Sequence, residues 1–144
     1  MIAPALRRSL LGVTLFLVAW TPGHGQEPDA SAAGFAAAWA TENLDALREL
    51  FSERVRLTIG EQTRTGVRPE QAVAALSTLL SDFEGPTPFV IRAERNEPDG
   101  ESGFAELRWD ARFRGSAARR LHTFIVTFVK QDEGWRISDL RILH

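Results

Sequence analysis

Apolar positions along this chain follow two rhythms, and the change from one to the other divides it into elements. Between residues 31 and 51 the spacing is helical. Ser31 is a fitting N-cap, Phe35 and Trp39 lie four apart on one face, and Thr41-Glu42-Asn43 interrupts the run. Asn43 then caps a second short helix carrying Leu44, Leu47, Leu50 and Phe51. Val55, Leu57 and Ile59 alternate with Arg54, Arg56 and Thr58, which predicts a half-buried strand ended by Gly60 and followed by a short return strand over 63–67. Helical spacing resumes with Pro69 in the first turn and a stripe of Ala72, Val73, Leu76, Leu79, Leu80 and Phe83, stopped by Gly85-Pro86.

Alternation dominates the remainder. A strand over 88–96 puts Phe89, Ile91 and Ala93 on one face. The next, over 103–114, sends Leu107, Trp109, Ala111 and Phe113 one way and Glu106, Arg108, Asp110 and Arg112 the other. Residues 119–131 are apolar on both faces, as expected of a strand in mid-sheet. An even-length turn around Ser116-Ala117 would pair Trp109 with Phe124 and Ala111 with His122, gathering Leu107, Trp109, Phe113, Phe124, Val126 and Phe128 on the core face. In the last strand Trp135 and Ile137 share one parity, Leu140 and Ile142 the other. A bulge at Ser138-Asp139 restores all four to one face and bends the sheet.

Several of these segments carry a resemblance. The run from Phe35 through Trp39 to Leu47, leading to Phe51 and Val55-Arg56-Leu57, resembles the nuclear transport factor 2-like superfamily. So does the closing strand, Gly134-Trp135-Arg136-Ile137 with Leu140 and Ile142. This is the cystatin-like α+β cone shared by the SnoaL-like and ketosteroid-isomerase-like families. The helix Pro69-Glu70-Gln71-Ala72 and the strand opening Thr87-Pro88-Phe89 look closest to a family of small exported bacterial proteins of unknown function. The resemblance implies an α+β fold: a cone-shaped, curved antiparallel sheet of about four to six strands, wrapped around N-terminal helices and one amphipathic helix. Within the superfamily stand enzymes, transport factors and domains without known chemistry, so fold does not choose a function.

Composition changes the picture chiefly at the N-terminus. Arg7 and Arg8 precede an apolar run from Leu10 to Trp20, Pro22 breaks it, and Gly23 and Gly25 sit at the −3 and −1 positions of a cut before Gln26. This reads as a signal peptide over 1–25, followed by a linker over 26–30 and one domain over 31–144. An uncleaved membrane anchor is the rival reading; the run falls short of the about 20 residues a spanning helix needs. The expectation is export to a bacterial periplasm or beyond, with no stable membrane insertion after cleavage. Export without a single cysteine points to a bacterial envelope rather than a disulfide-stapled secreted domain. The leader holds two of the seventeen basic residues and none of the nineteen acids, so the body carries a net charge of −4. A mildly acidic body without a basic stripe argues against a nucleic-acid partner.

Candidate chemistry is sparse. Enzymes of the resembling families set acids, histidines or tyrosines on the inner face, where burial tunes them. This chain has no tyrosine, no metal-ligand spacing and no phosphate loop, so neither a cofactor nor a metal is expected. His122 faces inward near the rim, across from His144. Glu61 is the one strand carboxylate with inner parity, unless Gly60 breaks the phase. Phe35, Trp39, Trp109 and His122 are the residues placed to line a ligand pocket, although rings in such positions commonly fill a core. The outer face of the long strand, Leu121, Thr123, Ile125, Thr127 and Val129, suits a homodimer contact. The favoured reading is an exported, non-catalytic binding or scaffold module for a small apolar ligand. The alternative is a small-molecule acid–base enzyme, such as an isomerase, dehydratase or cyclase, using His122 and Glu61.

Overall fold

A computed structural model describes residues 27–144; the expected signal peptide over 1–25 and Gln26 of the linker lie outside them. The elements follow in the order α1 (Pro28–Ala40), α2 (Leu44–Leu50), β1 (Phe51–Ile59), β2 (Gln62–Val67), α3 (Pro69–Asp82), β3 (Phe83–Glu84), β4 (Phe89–Arg95), β5 (Ser102–Phe113), β6 (Arg119–Gln131) and β7 (Gly134–Leu143). Among these residues no helix is long and apolar enough to cross a membrane.

The strands form one curved, unclosed sheet in the order β2-β1-β7-β6-β5, with β3 and β4 both pairing β5. All pairings are antiparallel except β1 with β7, which run parallel. That pairing puts β7 inside the sheet, next to β6 on its other side. The seventh strand is the two-residue β3, built where the apolar stripe of α3 runs out: Phe83 leaves the helix and pairs Phe113.

The bulge in the last strand falls where the change of parity requires it. Thr127 pairs Asp139 and Phe128 pairs Ile137, so Ser138 is the extra residue, and Trp135, Ile137, Leu140 and Ile142 are all buried. The β5–β6 register differs from the expectation by two residues: Trp109 faces His122, and Leu107 faces Phe124. The turn is centred earlier because Gly115 supplies the positive φ of 75°. An even shift keeps every side chain on its face, so the core face survives although its partners change.

Other boundaries move for local reasons. Helix α1 starts at Pro28, whose fixed φ suits a first turn, so the linker ends at Glu27 and Ser31 is a buried helical residue rather than a cap. Asn43 does cap α2, its side-chain oxygen accepting from the Ala46 N–H at 3.1 Å. Phe51 opens β1 instead of closing α2. In β4 the register slips at Ile91, so the one-face arrangement of Phe89, Ile91 and Ala93 does not form. Val90 and Ala93 pack on the core, while Phe89 is 71% exposed and Ile91 is exposed with it.

Candidate functional site

Phe35, Trp39, Trp109 and His122 do come together, packed ring against ring within the cone. Trp39 and Phe124 lie 4.8 Å apart between ring centroids, Phe35 and Phe124 5.7 Å, and Trp109 and His122 5.5 Å. Phe83 from β3 adds an edge-on contact to His122 at 4.7 Å. All of these rings are almost fully buried. Tilted and edge-on packing of this kind fills much of the cone interior with rings.

His122 is 1% exposed and its Nδ1 has no hydrogen-bond partner. Burial holds its pKa below the ordinary value of 6.5; the Arg120 backbone carbonyl pulls the other way, and the charges of His144 and Arg120 push it further down. His144 stands across from it as expected, 6.0 Å between ring centroids. Glu61 does not join them. It lies exposed in the β1–β2 turn beyond Gly60, whose positive φ ends the strand's alternation. His122 and Glu61, the pair the acid–base alternative would use, are therefore not brought into one site. No ion pair links either imidazole to a carboxylate among the described residues. No group of three or more His, Cys, Asp or Glu there could hold a metal.

Trp39 and Trp109 do border a small cleft of about 200 Å³ whose rim is charged. Arg114 straps that rim. Its guanidinium donates to the Leu80 carbonyl at 2.9 Å, pairs with Glu42, and lies 3.5 Å from Glu84. Glu42 occupies the left-handed position after α1, with φ 52°, where glycine is usual. A larger cleft of about 600 Å³ beside the β5–β6 turn is walled by ion pairs, Arg112–Glu84 and Arg119–Asp110.

A cleft with mainly apolar walls lies elsewhere, between α3 and the β1–β2 hairpin. It measures about 270 Å³, with walls from Leu57, Ile59, Ala75 and Leu79 and polar groups from Gln62, Arg64, Thr78 and Asp82. The hairpin turns through Gly60-Glu61, pairing Ile59 with Gln62 and Leu57 with Arg64. Opposed residues share a face, so Gln62 and Arg64 are carried onto the side of Leu57 and Ile59, toward α3. Sequence reasoning missed these two. The signal was the Gly-Glu turn, since a two-residue hairpin loop sets this register directly.

The outer sheet face keeps Leu121 52% exposed, with Thr123, Ile125, Thr127 and Val129 half-buried along β6.

No family model matches the chain, and no curated protein does. Solved structures do. A DUF4783 family protein from Bacteroides uniformis superposes with a TM-score of 0.63 at 18% identity, over 76% of this chain and 93% of its own. Another DUF4783 protein, from Bacteroides ovatus, gives 0.62 at 17% identity, over 76% and 91%. A protein with a ketosteroid isomerase-like fold from Catenulispora acidiphila, solved in complex with trimethylamine, gives 0.62 at 20% identity, over 83% and 87%. Identities this low speak to fold. The chain has the nuclear transport factor 2-like α+β cone, and the structures similar to it include members of a small family of unknown function.

Proposed function

We propose that this is an exported, non-catalytic binding module whose cone serves as a filled scaffold. A small apolar ligand sits in the cleft between α3 and the β1–β2 hairpin, and a second copy packs across the outer sheet face. One observation carries the reading: the rings of Trp39, Trp109 and Phe124 pack against one another inside the cone, while an open cleft with apolar walls lies beside α3. The trimethylamine complex of the Catenulispora protein supports a small-molecule role for a chain of this fold. The acid–base alternative is the weaker one, because His122 lacks a carboxylate partner and Glu61 points to solvent.

Native mass spectrometry of protein purified from its own envelope tests this. The expected species is a dimer retaining a small molecule, and Ala75→Phe, which fills the cleft, should release that molecule without changing the fold. Retention by Ala75→Phe, or a turnover that depends on His122, would count against the reading.

A further inference from the structure

We propose that the cleft beside α3 takes a medium-chain monocarboxylate, its carboxylate on Arg64 and its tail against Leu57, Ile59, Ala75 and Leu79; this rests on the binding reading above. The β1–β2 register sets Arg64 directly opposite Leu57, so a guanidinium stands over an apolar wall on the concave side of the sheet. Arg92, Arg95, Arg112 and Arg114 each hold a glutamate. Arg64 has no ion pair among the described residues, and Gln62 beside it makes no side-chain hydrogen bond there. Five N–H donors in a planar fork over a greasy slot match a carboxylate with an apolar body.

The other end of the cleft carries Asp82, at the C-terminus of α3. A cation is already there: the Arg114 guanidinium donates to the Leu80 carbonyl, and the Arg114 backbone N–H to the Asp82 carbonyl at 3.0 Å. The negative helix end is thereby offset, while the Asp82 carboxylate itself has no ion pair among the described residues, so the cleft carries a cation at Arg64 and an anion at Asp82, and a carboxylate is directed to the Arg64 side. The ligand lies with its head at Arg64 and its tail toward Leu79. About 270 Å³ falls just under the volume of sites for drug-sized ligands, about 300 to 1,000 Å³. The apolar part suits a single short chain, such as octanoate; a wider hollow of about 690 Å³ adjoins it at Arg64, Ala75 and Thr78.

Calorimetric titration of the full chain with hexanoate, octanoate, 1-octanol and octylamine tests the assignment, with methyl NMR shifts of Leu57 and Leu79 locating each ligand. Octanoate should bind saturably, and each methylene gained over hexanoate should tighten binding about fourfold. Arg64→Gln should weaken octanoate by about tenfold or more while leaving 1-octanol unchanged. Arg64 is exposed, so the substitution leaves the fold intact. If 1-octanol or octylamine binds as tightly as octanoate, or if Arg64→Gln leaves octanoate unaffected, the carboxylate assignment is overturned and the cleft reading stands. If none of the four ligands moves the Leu57 and Leu79 methyls, both are overturned.

Discussion

Trp39 of α1 and Trp109 of β5 meet edge to face, ring centroids 5.3 Å apart, and their indole N–H groups have opposite fates. That of Trp109 donates to the Pro86 carbonyl at 2.9 Å; that of Trp39 is buried without a partner. Packing and hydrogen bonding are thus separated at one point of the core. Trp109→Phe removes the hydrogen bond to the Pro86 carbonyl, whereas Trp39→Phe removes an orphaned donor along with a similar volume. Urea denaturation should find Trp109→Phe less stable than Trp39→Phe by about 1 kcal/mol. Equal losses would show that the Pro86 bond contributes nothing net.

His122 makes stability depend on pH in a defined direction. Its folded pKa lies below 6.5, chiefly through burial, so between the two values the unfolded chain binds more protons. The contribution is fully present above about 6.5 and is lost as pH falls through the folded value. Denaturation midpoints measured from pH 8 down to 5 should decline for the natural chain and decline less for His122→Phe. Parallel curves would remove His122 from the account.

Gly103 has no room for a side chain. A Cβ there would sit 2.7 Å from the Glu94 carbonyl oxygen and 2.9 Å from Pro28 Cγ, so β4 or the start of α1 must shift. Gly103→Ala should cost about 1 to 3 kcal/mol, read as a lowered melting temperature. An unchanged melting point would mean that α1 is held loosely against the sheet.

Leu121 is the most exposed apolar side chain of β6 and stands opposite Asp110 across the β5–β6 pair. If a second copy covers this face, Leu121→Glu places a charge in an apolar contact and should shift sedimentation to the monomer, with the melting curve of the subunit little changed. A chain that is monomeric before substitution would remove the dimer from the proposal.

Export predicts a particular mature end. Expression in a bacterial host with intact signal processing should yield an envelope fraction whose intact mass begins at Gln26. Full-length protein in the cytoplasmic fraction would contradict it.

Much of the fold was legible because it rests on side-chain periodicity. The Ser138 bulge was readable from one change of parity, and the buried rows of β5 and β6 from strict alternation. Boundaries were less so: Pro28 extends α1 by helix-start geometry, while the Ile91 bulge in β4 left Phe89 outside, and no parity change announces it. The candidate site was the least legible part. Glu61 kept inner parity on paper, but Gly60 turned the chain before parity could count.

The chain alone, through period and turn residues, determined which elements form and which side chains face the core, since both depend on a few neighbouring positions. Tertiary structure decided what the inward faces do. Whether Phe35, Trp39, Trp109 and His122 leave a cavity depends on the fit of rings from α1, β3, β5 and β6, segments far apart in sequence. It also decided that Arg64 and Asp82 share a cleft, one contributed by the β1–β2 hairpin and the other by the end of α3. Volume complementarity between distant segments has no period, and a pocket is what that complementarity leaves over.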